Sequence, residues 1–191
     1  MASEEEIKMI VDYALKDDTN LEVAVKIASA FDDISKRIII DFLYALENIL
    51  KQSLDDHDQW IITNELKNDV FAKDKGFYIE KRAWKGNYQI GIQSLQYGAR
   101  KFIIGLGKDK MLSPIEGGNL KKQIDEQYRP GLADEWWEWY RNVEGDYETW
   151  DNEKVLIDMY RKEKAVNYFK EPIITIARIA SPVIDKAVKS M

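Results

Sequence analysis

Apolar residues in the first third of the chain recur at helical spacing. Ser3 and Glu6 form a Ser-x-x-Glu capping box ahead of Ile7, Ile10, Val11, Ala14 and Leu15. Asp17-Asp18-Thr19-Asn20 closes this helix and caps the next. From Leu21 to Leu54 one stripe runs through Ala24, Ala28, Phe31, Ile38, Phe42, Ala45 and Ile49, and a second through Ile39, Leu43, Leu46 and Leu50. Together they give a wide apolar face, the mark of a helix packed on a sheet or on other helices. Unbroken, such a helix would be ~50 Å long, so the pattern predicts a bend or break near Asp32–Ser35.

The period then changes from helix to strand. Phe77 to Trp84, a turn at Lys85-Gly86, Asn87 to Gln93, a turn at Tyr97-Gly98 and Arg100 to Leu106 read as an antiparallel meander of three strands. Trp60-Ile61-Ile62 and the stretch around Val70-Phe71 are candidates to extend it to four or five. Residues 108 to 118 read as a loop. A short helix follows around Leu120, Ile124 and Tyr128, ending at Pro130-Gly131. Asp134 caps an aromatic segment, Glu135 to Arg141, read as helical. Asp151 or Asn152 caps a last helix towards Phe169, interrupted at Pro172, and Pro182 is a second kink.

The fold expected is α+β: an antiparallel sheet of three to five strands packed against a long N-terminal helix and C-terminal helices. It forms one domain over 1–191, with a helical part at 1–54, the sheet at 58–107, and the aromatic segment and C-terminal helices at 118–191.

Composition narrows the function classes. The 191 residues are 45% hydrophobic and 32% charged, as expected of a folded rather than disordered chain. Without cysteine there is no disulfide framework or zinc-thiolate site. The acidic start, Met1 to Ile7, lacks the apolar core of a secretory signal, and no apolar run approaches ~20 residues, so the expected address is the cytoplasm, with no membrane partner.

Catalytic constellations are sparse. The one histidine, His57, sits in Asp55-Asp-His-Asp58, which reads as a polar turn. Glu65-Leu66-Lys67 has the Glu-x-Lys form of a restriction-type nuclease centre, with Asp55, Asp56 or Asp58 as the remaining carboxylate. The tripeptide is common in a chain so rich in charge, and an exposed loop or strand edge is the plainer reading. Gly105-Leu-Gly107-Lys108 lacks the frame of a phosphate-binding loop. No catalytic residue, metal ligand or cofactor is assigned.

Charge and aromatic residues are more informative. The net charge is −6, with a pI of about 5.0. Residues 66–110 hold ten basic and four acidic residues, a net +6, whereas residues 131–151 hold one basic and seven acidic, a net −6. A basic meander with Lys81, Arg82, Lys85, Arg100 and Lys101 beside Tyr78, Trp84 and Tyr88 suits single-stranded nucleic acid, through stacking and phosphate contacts. The alternative is that the aromatics pack under the helices while the lysines solvate an edge. Trp136, Trp137, Trp139 and Trp150, with Tyr140, gather four of the six tryptophans into the acidic segment. They form either a clamp holding the C-terminal helices on the sheet or a contact surface for a partner.

Tyr78-Ile79-Glu80-Lys81 with Trp84-Lys85-Gly86, then Ile90-Gly91-Ile92, Phe102-Ile103-Ile104-Gly105, the Trp-Trp-x-Trp-Tyr segment and Tyr147-x-x-Trp150 before a long helix follow one another in an order that resembles the C-terminal accessory region of PD-(D/E)XK-superfamily nuclease-like proteins of bacteria and phages. The resemblance covers about residues 35 to 190. The upstream nuclease half is absent, so no catalytic residue carries over. It implies a stand-alone accessory or regulatory module of phage or anti-phage-defence context. The function expected is a non-enzymatic protein-binding or regulatory module. A nucleic-acid-binding or nuclease-accessory domain using the basic sheet, and an acidic DNA-mimic inhibitor, are the alternatives.

Overall fold

A computed structural model describes residues 3–189, apart from the side chains of residues 57, 116 and 117. The architecture is α+β. Helices α1 (Glu4–Ala14), α2 (Asp18–Ser29) and α3 (Phe31–Ser53) precede strands β1 (Trp60–Asn64), β2 (Gly76–Lys81), β3 (Tyr88–Gln96) and β4 (Arg100–Lys108). Then come α4 (Asn119–Gln127), β5 (Trp137–Asn142), α5 (Glu153–Arg161) and α6 (Glu163–Lys189).

Local chemistry sets most element ends. Ser3 and Glu6 make the reciprocal capping box. Asp17 accepts from the Asn20 N–H, and Asn152 rather than Asp151 caps α5 by accepting from the Val155 N–H. The expected break near Asp32–Ser35 falls earlier, at Ala30, which leaves the helical path between α2 and α3. The C-terminal break falls not at Pro172 but at Lys162, whose φ of 71° separates α5 from α6. Pro172 and Pro182 both lie within α6, and the Pro172 ring is buried in its packed face.

The sheet has five strands in the order β1-β2-β3-β4-β5, all neighbours antiparallel. Its fifth strand comes from the aromatic segment, and the stretch around Val70-Phe71 is a loop. The sheet therefore reaches well beyond residue 107. One face is covered by α3, α4 and α6, and α5 packs against α3 and α6. Ile79, Ile90, Leu106 and Trp139 make one buried cross-strand row on that inner face. Phe102 stacks on Trp150 with ring centroids 3.9 Å apart, and Phe42 and Phe169 close around the Trp150 indole edge-on. Lys81 and Trp84 both donate to Asp185 of α6, at 2.6 and 2.8 Å, which ties the end of β2 to the C-terminal helix.

The helical N-terminus divides at about Ser35. From there α3 buries Ile39, Phe42, Leu43, Leu46 and Leu50. Before it, α1 and α2 bury no residue.

Candidate functional site

The aromatic segment is a strand, not a helix, and this decides where its side chains go. Asp134 accepts from the Trp136 and Trp137 N–H groups, so the side chain expected to cap a helix instead turns the chain into β5. A strand alternates faces, but the register slips between Leu106 and Gly107, where Leu106 pairs with Trp139 and Gly107 with Trp137. The extra residue is Glu138. Trp139 and Glu138 are buried with the helices, while Trp137 and Tyr140 belong to the opposite face.

That outer face carries a second apolar cluster of Tyr78, Ile103 and Trp137, with Leu95 and Tyr140 packed around it. Tyr78, Gly91, Gly105 and Tyr140 occupy successive strands in one row, so the two inner strands of the row carry no side chain. At β5 the row ends in a cleft of about 590 Å³, none of whose lining residues lies on a helix. Leu95, Ile103, Trp137 and Tyr140 supply its apolar lining, and Gln89 and Gln93 of β3 its amides. Trp136 stands at its edge, about half exposed, with the Lys110 ammonium 4.9 Å from its ring centre.

The charges around this cleft are mostly committed. Asp74 and Asp134 line it. Lys108, also in the lining, is nearly buried, and its ammonium donates to the Leu112 and Glu135 carbonyls. Burial, followed by the nearby Glu65 and Asp74 carboxylates, pushes the Tyr78 hydroxyl well above the ordinary tyrosine range, so it stays protonated. Burial and Asp134 act in the same direction on Tyr140.

The predicted site residues thus separate into groups. Trp136, Trp137 and Tyr140 meet at the outer cleft. Trp139 and Trp150 lie in the core as parts of a clamp between sheet and helices. Lys81, Arg82 and Lys85 sit at one end of the sheet and Arg100 and Lys101 at the other, because β2 and β4 run in the same direction. Lys81 is paired with Asp185, and Arg100 with Asp151 at 2.8 Å. Arg82 donates to the Asp58 carbonyl. Lys85 is exposed in the turn after β2, and Lys101 borders a small hollow with Glu144 and Glu148. The Arg100–Asp151 pair also joins the basic meander to the acidic segment within the fold.

The Asp55–Asp58 stretch turns through Asp56, at φ 53°, into a short 3-10 segment, and the His57 side chain lies outside the described residues. Glu65-Leu66-Lys67 is a loop after β1, pinned by Leu66 in the core and by the Lys67 N–H donating to Asn64. Among the described residues no three His, Asp or Glu side chains are grouped to hold a metal ion. Likewise, among the described residues, no helix is long and apolar enough to cross a membrane.

Pattern reading missed Glu138, Gln89 and Gln93. In the sequence Glu138 is one of the seven acidic residues of 131–151, with nothing to set it apart. In the fold its Oε1 accepts from the Ile115 N–H at 3.1 Å and its Oε2 is buried without a partner. Burial raises its pKa above the ordinary glutamate value, against the lowering effects of that N–H and of Lys108. The glutamines left a trace, since they alternate with Ile90 and Ile92, but nothing in the sequence shows what faces them.

Comparison with protein-family models, with curated proteins and with solved structures finds no match to this chain.

Proposed function

We propose that this chain is a non-enzymatic protein-binding module that takes an extended segment of its partner into the cleft on the outer sheet face. The observation that carries the reading is the placement of Trp136, Trp137 and Tyr140 around a 590 Å³ cleft on the side of the sheet away from the helices. Trp137 and Tyr140 stand on β5 and Trp136 at its entry, and aromatic side chains lose little freedom on binding and dominate the energetic hot spots of protein contacts. Gln89 and Gln93 offer donors and acceptors suited to a peptide backbone. Asp74 and Asp134 favour a partner segment with a cationic side chain, which would replace Lys110 over the Trp136 ring. A regulatory role in phage or anti-phage-defence context is part of this proposal and rests on the resemblance alone.

The test is selection from a displayed random-peptide library on the immobilised full chain, followed by titration of the selected peptides against Trp136→Ala and Tyr140→Ala. The expected result is enrichment of peptides with an aromatic or basic residue, bound at least tenfold more weakly by the variants. Peptides bound equally well by both variants, or no enrichment, overturn the reading. Salt-dependent binding of labelled single-stranded DNA in its place would favour the basic meander.

A further inference from the structure

The segment before Ser35 is built unlike the rest of the chain. Twelve large apolar side chains between Ile7 and Ile34 are each 43–70% exposed. Among them Ile7, Ile10 and Tyr13 lie on α1, and Leu21, Val25 and Ile27 on α2. On α1 the polar positions Glu4, Glu5, Lys8 and Asp12 fall on one arc, with Glu6 of the capping box away from it. On α2 the Glu22–Lys26 pair, 2.5 Å apart, marks the corresponding arc. Asp18, Thr19 and Ser29 share that arc; apart from Glu6 and Asn20 in the first turns, the remaining positions of both helices are apolar. Helices of 11 and 12 residues are marginal in water on propensity alone, and helices apolar over most of their circumference are normally covered.

We propose that the α1–α2 arm is a dimerisation element, covered by the same arm of a second copy in a two-fold arrangement of four helices. Three observations select this occupant. The arm is a two-helix unit apolar on both helices, which is half of a four-helix bundle, and a two-fold axis supplies the other half with an identical surface. The exposed apolar side chains offer on the order of 1,000 Å² per copy, against the ~800 Å² per partner that stable complexes bury. The exposed Phe31 and Ile34 at the start of α3 carry the arm's apolar surface up to Ser35, where α3 enters the core, so the paired arms would extend each body's core. Charge weighs against a membrane surface: residues 3–34 hold nine acidic and three basic residues, a net −6, which anionic lipid repels. In the dimer the polar arcs face outward. Mutual repulsion between them makes association stronger as salt rises, opposite to the trend for a complex held by charge.

Sedimentation of the full chain from low to high micromolar concentration, at low and moderate salt, tests this. The expected species is a dimer of the 22.3 kDa chain, and its dissociation constant falls with added salt. Ile10→Glu and Val25→Glu should each give a monomer. The near-ultraviolet signal of the buried Trp84, Trp139 and Trp150 should be unchanged, which separates a lost interface from a lost fold. Tyr97→Glu, on the exposed turn between β3 and β4, should remain dimeric. A monomeric wild type at every concentration, or Ile10→Glu and Val25→Glu variants that still dimerise, overturns the proposal.

Discussion

Trp139 Nε1 donates to Asp125 Oδ1 at 2.9 Å, and through this bond the central tryptophan of β5 is held by α4. The same oxygen accepts from the Gly131 N–H at 2.8 Å, and the second carboxylate oxygen pairs with Lys121. One side chain thus fixes the end of α4, the return of the chain and the rotamer of a fully buried indole. Removing it leaves the indole N–H unpaired in the interior, so Asp125→Ala should cost about 1–3 kcal/mol in a denaturant titration. Partial burial alone would raise the Asp125 pKa, but the bonds from Lys121, Gly131 and Trp139 and the Lys121 charge leave it below the ordinary aspartate value. A carboxylate with a depressed folded pKa contributes stability above its unfolded pKa, and that contribution is lost as pH falls through the folded pKa. Wild type should therefore lose stability below about pH 4 more steeply than Asp125→Asn, as read from thermal melts across that range.

The six tryptophans do not share a role, and stability measurements should separate them. Trp150→Ala opens a cavity between Phe42, Phe102 and Phe169 and is expected to cost about 3–5 kcal/mol. Trp136→Ala removes a half-exposed ring whose contact is Lys110 and should change stability by no more than ~0.5 kcal/mol. Equal losses at the two positions would show that the Trp136 ring is buried in solution.

Glu138 gives a pH dependence of opposite sign. Its folded pKa is raised, chiefly by burial. A carboxyl with a raised folded pKa contributes stability that is complete below its unfolded pKa and lost as pH rises through the folded value. Glu138→Gln keeps the acceptor for the Ile115 N–H and removes the buried charge. The variant should melt above wild type at neutral pH, and the gap should close near pH 4. A gap independent of pH would mean that Glu138 does not titrate in the buried state.

Gly105 faces Tyr140 across the β4–β5 pairing, and a methyl group there would run into the Trp139 carbonyl and the Tyr140 backbone. Gly105→Ala should cost at least about 1–3 kcal/mol and loosen β5 first, seen as faster amide exchange at Trp139 and Tyr140 than in β2 and β3. Gly86, at φ 79° with open space around it, should lose only ~1 kcal/mol on the same change.

Periodicity and capping chemistry carried the reading of α1, of α3 from Ser35 onward and of β2 to β4, because these elements take their form from near neighbours. Ser3 with Glu6, Asp17 with Asn20, and Lys85-Gly86 are such local determinants. The aromatic segment lay beyond that reach. Glu135 to Arg141 has no distinguishing period, and it becomes a strand because the edge of β4 was open to it and Trp139 had a core to enter. The helix breaks fall at Ala30 and Lys162 rather than near Asp32–Ser35 and at Pro172 for a related reason. A proline in a packed helix such as α6 is tolerated where tertiary contacts outweigh a lost hydrogen bond, and propensity does not register those contacts.

The amino-acid sequence by itself determined that the chain has helices at both ends, an antiparallel meander between them, a basic stretch and an acidic aromatic one. These are matters of composition and near-neighbour spacing. Only the tertiary structure decided which tryptophans are clamp and which stand at a cleft, which lysines are already paired, and that Glu138 is buried. Each of these depends on the strand register at the Leu106–Gly107 bulge and on which residues the fold brings to the opposite side of a side chain. Such partners stand tens of residues away: 104 positions separate Lys81 from Asp185, and no local pattern reaches across that distance.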